Sequence, residues 1–117
     1  MVDAYKFKKI CKIVEELCHN TLNRIVTYMD KYPDHCKELG DYVKLCVIME
    51  KLSNYSCSIC CNDVSVSIHL LKECKLKSNS MITCCKKLKK TKISNKDLKY
   101  IRCDEMIKAC NNLIKMC

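Results

Sequence analysis

Cysteine is the residue type in this sequence with the most chemistry to offer, and its spacing is regular. Thirteen of the 117 residues are cysteines. Cys11 and Cys18 stand seven apart, and "CDEMIKACNNLIKMC" repeats that interval through Cys103, Cys110 and Cys117. Seven residues of α-helix turn through nearly two full revolutions, so each set shares one helix face. Heptad neighbours lie about 10.5 Å apart along the axis. A disulfide needs Cα atoms roughly 4.4–6.8 Å apart. Each cysteine must therefore find its partner on another helix. The adjacent pairs Cys60-Cys61 and Cys84-Cys85 fit the same scheme, since neighbours on a helix point about 100° apart and can face two different helices.

Two chemistries suit such a set: cross-links in an oxidising compartment, or thiolate metal binding in a reducing one. A metal core favours C-x-x-C or C-x-x-x-C repeated along one face. This chain has that spacing only in "CSICC", residues 57–61, with no second zinc knuckle at the usual distance. The expectation is therefore interhelical stapling by Cys11, Cys18, Cys36, Cys46, Cys57, Cys60, Cys61, Cys74, Cys84, Cys85, Cys103 and Cys110. Six bridges would use these twelve and leave Cys117 as a free thiol, or as an intermolecular one joining a dimer.

Other chemistry is thinner. His19 and His35 each adjoin a cysteine and His69 stands apart, and hydrogen-bonded or solvated roles are expected for all of them. Glu15-Glu16 and Asp104-Glu105 are neighbours that would splay on a solvated helix face and not converge on a substrate. One glycine leaves no room for a Gly-rich phosphate loop. Neither catalysis nor a bound cofactor is expected.

The formal charge is +9, and its densest run is "CCKKLKKTKISNK", with Lys86, Lys87, Lys89, Lys90 and Lys92. These lysines read as a solvated helix end, or as a contact for an anionic surface such as acidic lipid. With only Arg24 and Arg102 for arginine and no aromatic residues interleaved, no nucleic acid is expected as a partner. Six tyrosines against one Phe and no Trp would leave some aromatic surface for a protein partner.

Elements must position these residues, and the composition selects helices. With one Gly and one Pro, the chain lacks the turn residues of an all-β fold. The steps Phe7, Ile10, Cys11, Val14, Leu17, Cys18, Leu22, Ile25 and Met29 predict a helix over 4–30. Pro33 opens a second helix to 52, with Cys36, Leu39, Val43, Cys46, Met49 and Leu52 inward. "LSNYS" is expected to turn the chain into a third helix over 55–76, and "KSNS" into a short fourth over 80–90. The sequon Asn54-Tyr55-Ser56 would then sit in a turn. Ser94 and Asp97 resemble a capping box opening a last helix through Leu98, Ile101, Cys103, Met106, Cys110, Leu113 and Cys117. The fold class is all-α: a compact bundle of about five helices cross-linked by several disulfides, residues 1–117 forming one domain.

The order Cys57-x-x-Cys60, then Cys74 and Cys85, then Cys103 and Cys110 resembles the cysteine pattern of saposin-like helical proteins over residues 55–117, with a shorter gap before Cys74. That resemblance implies lipid or membrane binding. Size and cysteine content are also similar to the cysteine-rich helical secreted effectors of aphids, the bicycle proteins, although their Cys-Tyr-Cys motif is missing. A third resemblance is to four-helix copper-storage proteins, which implies Cu(I) held by cysteines. A twin C-x9-C hairpin is matched by Cys36 and Cys46, while Cys74 and Cys84 are expected to straddle the "KSNS" turn. "MVDAYKFKKICKIVEELC" lacks the apolar stretch of a signal peptide. Secretion then implies a leader already removed, and the alternative is a cytoplasmic protein. Together these readings point to a secreted, effector or toxin-like protein that binds a partner protein, a host's being one option, and is not an enzyme.

Overall fold

Asp3 starts the first helix. Its Oδ1 accepts from the backbone N–H groups of Tyr5 and Lys6 at 3.0 and 3.2 Å, satisfying donors that a helix leaves open at its N-terminus. From there α1 runs Ala4–Met29 with Phe7, Cys11, Val14, Cys18, Thr21 and Ile25 on its buried face. The chain reverses where the Tyr28 carbonyl accepts from the N–H groups of Lys31 and Tyr32. Pro33 then opens a 3-10 turn, Pro33–His35, which leads into α2, Cys36–Ile59. The remaining elements are α3 (Ile68–Lys89), α4 (Asn95–Tyr100) and α5 (Cys103–Met116). The computed structural model describes residues 3–59 and 67–117, and among them no strand occurs.

Side-chain pairs along α1 and α2 run in opposite senses: Glu15 meets Asn54, His19 meets Glu50, and Cys57 donates to the Lys8 carbonyl. The two helices are thus antiparallel. α1 also lies against α5, α5 against α3, and α3 against α2, so the four long helices close a ring with α4 at one corner. The bundle measures 46 × 21 × 20 Å, longer than it is wide.

Two expected turns are helical instead. "LSNYS" lies inside α2, and "KSNS" lies inside α3, so the separate helices expected over 55–76 and 80–90 do not form. The reason is local. The hydroxyls of Ser56, Ser58, Ser80 and Thr83 donate to the carbonyls of Leu52, Asn54, Leu76 and Asn79, four residues back, at 2.8 to 3.1 Å. Such back-bonding lets polar side chains that favour turns sit within a helix. The sequon therefore lies on α2, with Ser56 fully buried.

The last helix divides where it was expected to run on. Arg102 adopts φ 60°, ψ 38°, ending α4 and starting α5 in a new direction. A left-handed residue with a side chain costs roughly 1–2 kcal/mol. In return Leu98 and Ile101 on one side, and Cys103 and Met106 on the other, are all buried. Half of the expected capping box forms: Ser94 Oγ accepts from the Asp97 N–H at 3.2 Å.

The Asp97 carboxylate turns elsewhere. It accepts from the Tyr32 hydroxyl and from Lys31 Nζ, the latter at 2.9 Å, tying the α1–α2 corner to α4. Those two donors, Tyr32 first, hold Asp97 down to about 2 from the ordinary 3.8. A depressed carboxyl stabilises the fold above its unfolded pKa and loses that contribution as pH falls toward the folded value. The stability gap between the parent chain and Asp97→Asn should therefore be full at neutral pH and close between 3.8 and about 2, as followed by urea unfolding at each pH. A gap that did not change over that window would remove the role assigned to Asp97.

Tyr42 is the largest fully buried side chain, and its hydroxyl donates to the Ile101 carbonyl at 2.7 Å. Tyr42→Phe leaves that acceptor unpaired in the core, for an expected loss of about 1–3 kcal/mol in the same unfolding measurement.

Candidate functional site

The heptad faces do turn inward, and they bring sulfur to sulfur between helices. Cys11 of α1 is in hydrogen-bond contact with Cys74 of α3, whose Sγ also lies 3.8 Å from the buried Ser56 Oγ. Cys18 of α1 contacts Cys46 of α2, and its Sγ lies 3.8 Å from the Met106 Sδ on α5. Cys85 of α3 contacts Cys103 of α5, next to Tyr42. All six thiol-bearing residues are at most 1 % exposed. Seven residues separate Cys11 from Cys18 and eleven separate Cys74 from Cys85, so the pairs occupy three heights along the bundle. Among the described residues no two cysteine sulfurs stand at bonding distance.

This environment splits the Cys11–Cys74 pair: the hydrogen bond with Cys11 draws Cys74 down, while several of the other thiols are pushed up. The hydrogen bond from Cys74 and then burial push Cys11 up, and contact with Cys18 and burial do the same for Cys46. Cys85 is raised by Cys103 and by burial. Burial alone leads for Cys110, pushed up to about 12, and for Cys84 and Cys117, each pushed up to about 11. The thiolate is the nucleophile and the metal ligand, so a raised thiol is disfavoured in both roles.

The other expected positions fall differently. Cys36 was expected inward but is exposed: it stands at the start of α2, where the chain is still turning in from the 3-10 segment, and its Sγ donates to the carbonyls of Met29 and Tyr32. Cys117, also expected inward, is exposed just past α5 and donates to the Leu113 carbonyl at 3.3 Å. Cys57 belongs to α2 and donates to the Lys8 carbonyl. Cys60 and Cys61 lie outside the described residues. Cys74 and Cys84 do not straddle a turn but share α3. Even so, Cys46 and Cys74 do not meet as in a hairpin of twin C-x9-C segments, because each faces α1.

His19 and His35 face Glu50 and Glu38, not the thiols beside them in sequence. Among the described residues no group of three or more His, Cys, Asp or Glu side chains is arranged to hold a metal ion, and no helix is long and apolar enough to cross a membrane. Lys86, Lys87 and Lys89 occupy the last turn of α3, Lys90 caps it and Lys92 follows, all exposed. That position favours cations through the helix dipole. Lys89 is engaged by Asp104.

Sequence reasoning missed a large concavity. An open groove of 850 Å³ runs between α2 and α3, lined by Leu45, Leu76 and Cys84 and edged by Lys37, Lys44 and Lys87 with Glu38 and Asp41. Its residues on α3 share one face only because "KSNS" is helical; the expected turn hid the alignment. No family model, curated protein or solved structure matches this chain.

Exposure and burial give a direct check. Brief treatment of the reduced, folded chain with iodoacetamide at neutral pH should alkylate Cys36 well before Cys84 or Cys110, as read by peptide mass. Equal rates would show the core to be open.

Proposed function

We propose that the chain is a disulfide-stapled helical scaffold of the secreted, effector or toxin-like kind, acting by binding a partner protein and not by catalysis. The observation that carries this reading is the meeting of buried thiols from different helices at three heights. Each bridge formed there would contribute about 2–4 kcal/mol by restricting the unfolded chain. A small core needs such reinforcement, because a chain this short buries a limited share of its surface. A scaffold held in this way places few demands on its exterior, which is left to recognition.

The groove between α2 and α3 is the binding surface in this reading. Leu45 and Leu76 offer apolar ground, and Leu76 is 55 % exposed. Lys37, Lys44 and Lys87 outnumber the two carboxylates beside them, and the lysine run at the end of α3 extends the positive field. The partner segment that fits is acidic with an apolar anchor. Charge of this kind speeds encounter and weakens with salt.

A peptide of glutamates around a central leucine is a suitable probe. Titrated into the labelled protein, it should shift the NMR signals of Leu45 and Leu76, with affinity falling as salt rises and lost in the Lys37→Glu, Lys44→Glu, Lys87→Glu variant. Binding that ignored both changes, or no binding, would remove the groove from the proposal. Intact mass of the chain isolated from an oxidising compartment tests the scaffold separately, since each bond lightens it by two hydrogens.

A second reading, a cytoplasmic Cu(I)-thiolate protein, is supported by the soft set formed by Cys18, Cys46 and Met106. Native mass of the chain isolated from a reducing cytosol would separate the two: copper on a fully reduced chain supports this reading, whereas a bridged chain without metal supports the first.

A further inference from the structure

We infer that the bundle has a defined pairing, Cys11 with Cys74, Cys18 with Cys46 and Cys85 with Cys103, formed as three disulfides while the helices are still assembling. This deepens the proposed oxidised scaffold and rests on it.

The pairing follows from position. No two cysteines seven apart on one helix can bond to each other, so a partner must come from across a helix boundary. In each of the three pairs the residues belong to different helices, are buried and interact with each other. Of the remaining described cysteines, Cys36, Cys57 and Cys117 donate to backbone carbonyls, and Cys110 is buried on α5. Cys84 faces the groove.

The three links do different work. Cys18–Cys46 and Cys85–Cys103 join helices that lie side by side, α1 with α2 and α3 with α5. Cys11–Cys74 joins α1 to α3, which belong to different halves of the bundle. The set therefore makes one covalent path through all four long helices, in the order α2, α1, α3, α5.

The timing follows from chemistry. Forming each bond takes two protons and two electrons from two thiols. A disulfide oxidant, either glutathione disulfide or an oxidoreductase disulfide, accepts them and is cleaved to two thiols. The step runs through a thiolate that attacks the oxidant and a mixed disulfide that the second thiol resolves. Within the closed core the six sulfurs are out of reach of an oxidant, since these residues are at most 1 % exposed. Oxidation must then precede closure.

The test is oxidative refolding of the full chain from its reduced, denatured state in a glutathione redox buffer. Residual thiols are then alkylated, and the protein is digested with trypsin without reduction. Cleavage after Lys12, Lys44, Lys72 and Arg102 puts Cys11, Cys18, Cys46, Cys74 and Cys103 on separate peptides. Cys84 and Cys85 share one, which the Cys84→Ser variant resolves. The expected linked peptides are the three named, and Cys46→Ser should expose Cys18 as a new alkylatable thiol. The same buffer added to the chain already folded in reductant should form these bonds far more slowly. Equal rates would overturn the assigned timing. Bridges between other cysteines would overturn the pairing and leave the oxidised scaffold standing. A chain that recovered its helical fold with every cysteine alkylated would overturn both.

Discussion

The constraint on which this structure depends is the narrowness of its interior. Four helices in a ring about 20 Å across share a core to which each contributes one stripe of side chains. Cysteine is small enough to occupy that stripe where two stripes meet head on, and Leu, Met and Phe fill the spaces between. The close approach of Cys18 to both Cys46 and Met106 is the clearest case, since three helices converge there on sulfur. Replacing any of these sulfurs by a larger side chain would force the rods apart in a core with no depth to absorb the change.

The ends of the bundle are closed by polar devices where the sulfur pattern gives out. At one end Asp97 gathers Tyr32 and Lys31, and Tyr28 stacks edge-on against Tyr100 at 5.1 Å between ring centres. Arg24 lies over that same Tyr100 ring and donates to its backbone carbonyl at 3.1 Å. Thus α4, a helix of six residues too short to persist alone, is held by contacts with the α1 end. Its left-handed exit at Arg102 then aims α5 down the remaining side of the ring.

Much of this was legible in the sequence, and what was not has a common cause. The stripe on α1 read correctly from Phe7 to Ile25, because apolar residues and cysteines at three- and four-residue steps report one face directly. The inward set from Leu98 to Leu113 was equally legible, although the break at Arg102 inside it was not. Tyr42 escaped notice since a tyrosine reads as an edge residue, and only the fold reveals that the Ile101 carbonyl awaits its hydroxyl. The segments "LSNYS" and "KSNS" misled because Ser and Asn are ambiguous: the same side chains that cap a turn can bond back along a helix. Misplacing those turns also concealed the groove, whose α3 wall crosses the expected break. Which cysteine faces which could not be read at all, as it depends on the rotation of four helices about their axes.

Consider finally the route of the inferred cross-links, from α2 through α1 to α3 and α5. Along that route every connection between successive long helices would be bypassed by sulfur. A protease that severed any one of them would produce a nicked molecule whose pieces stay moored, with its recognition surface still assembled. Such a protein could outlast its own cleavage in a hostile fluid, and would fall apart only where a reductant reached it.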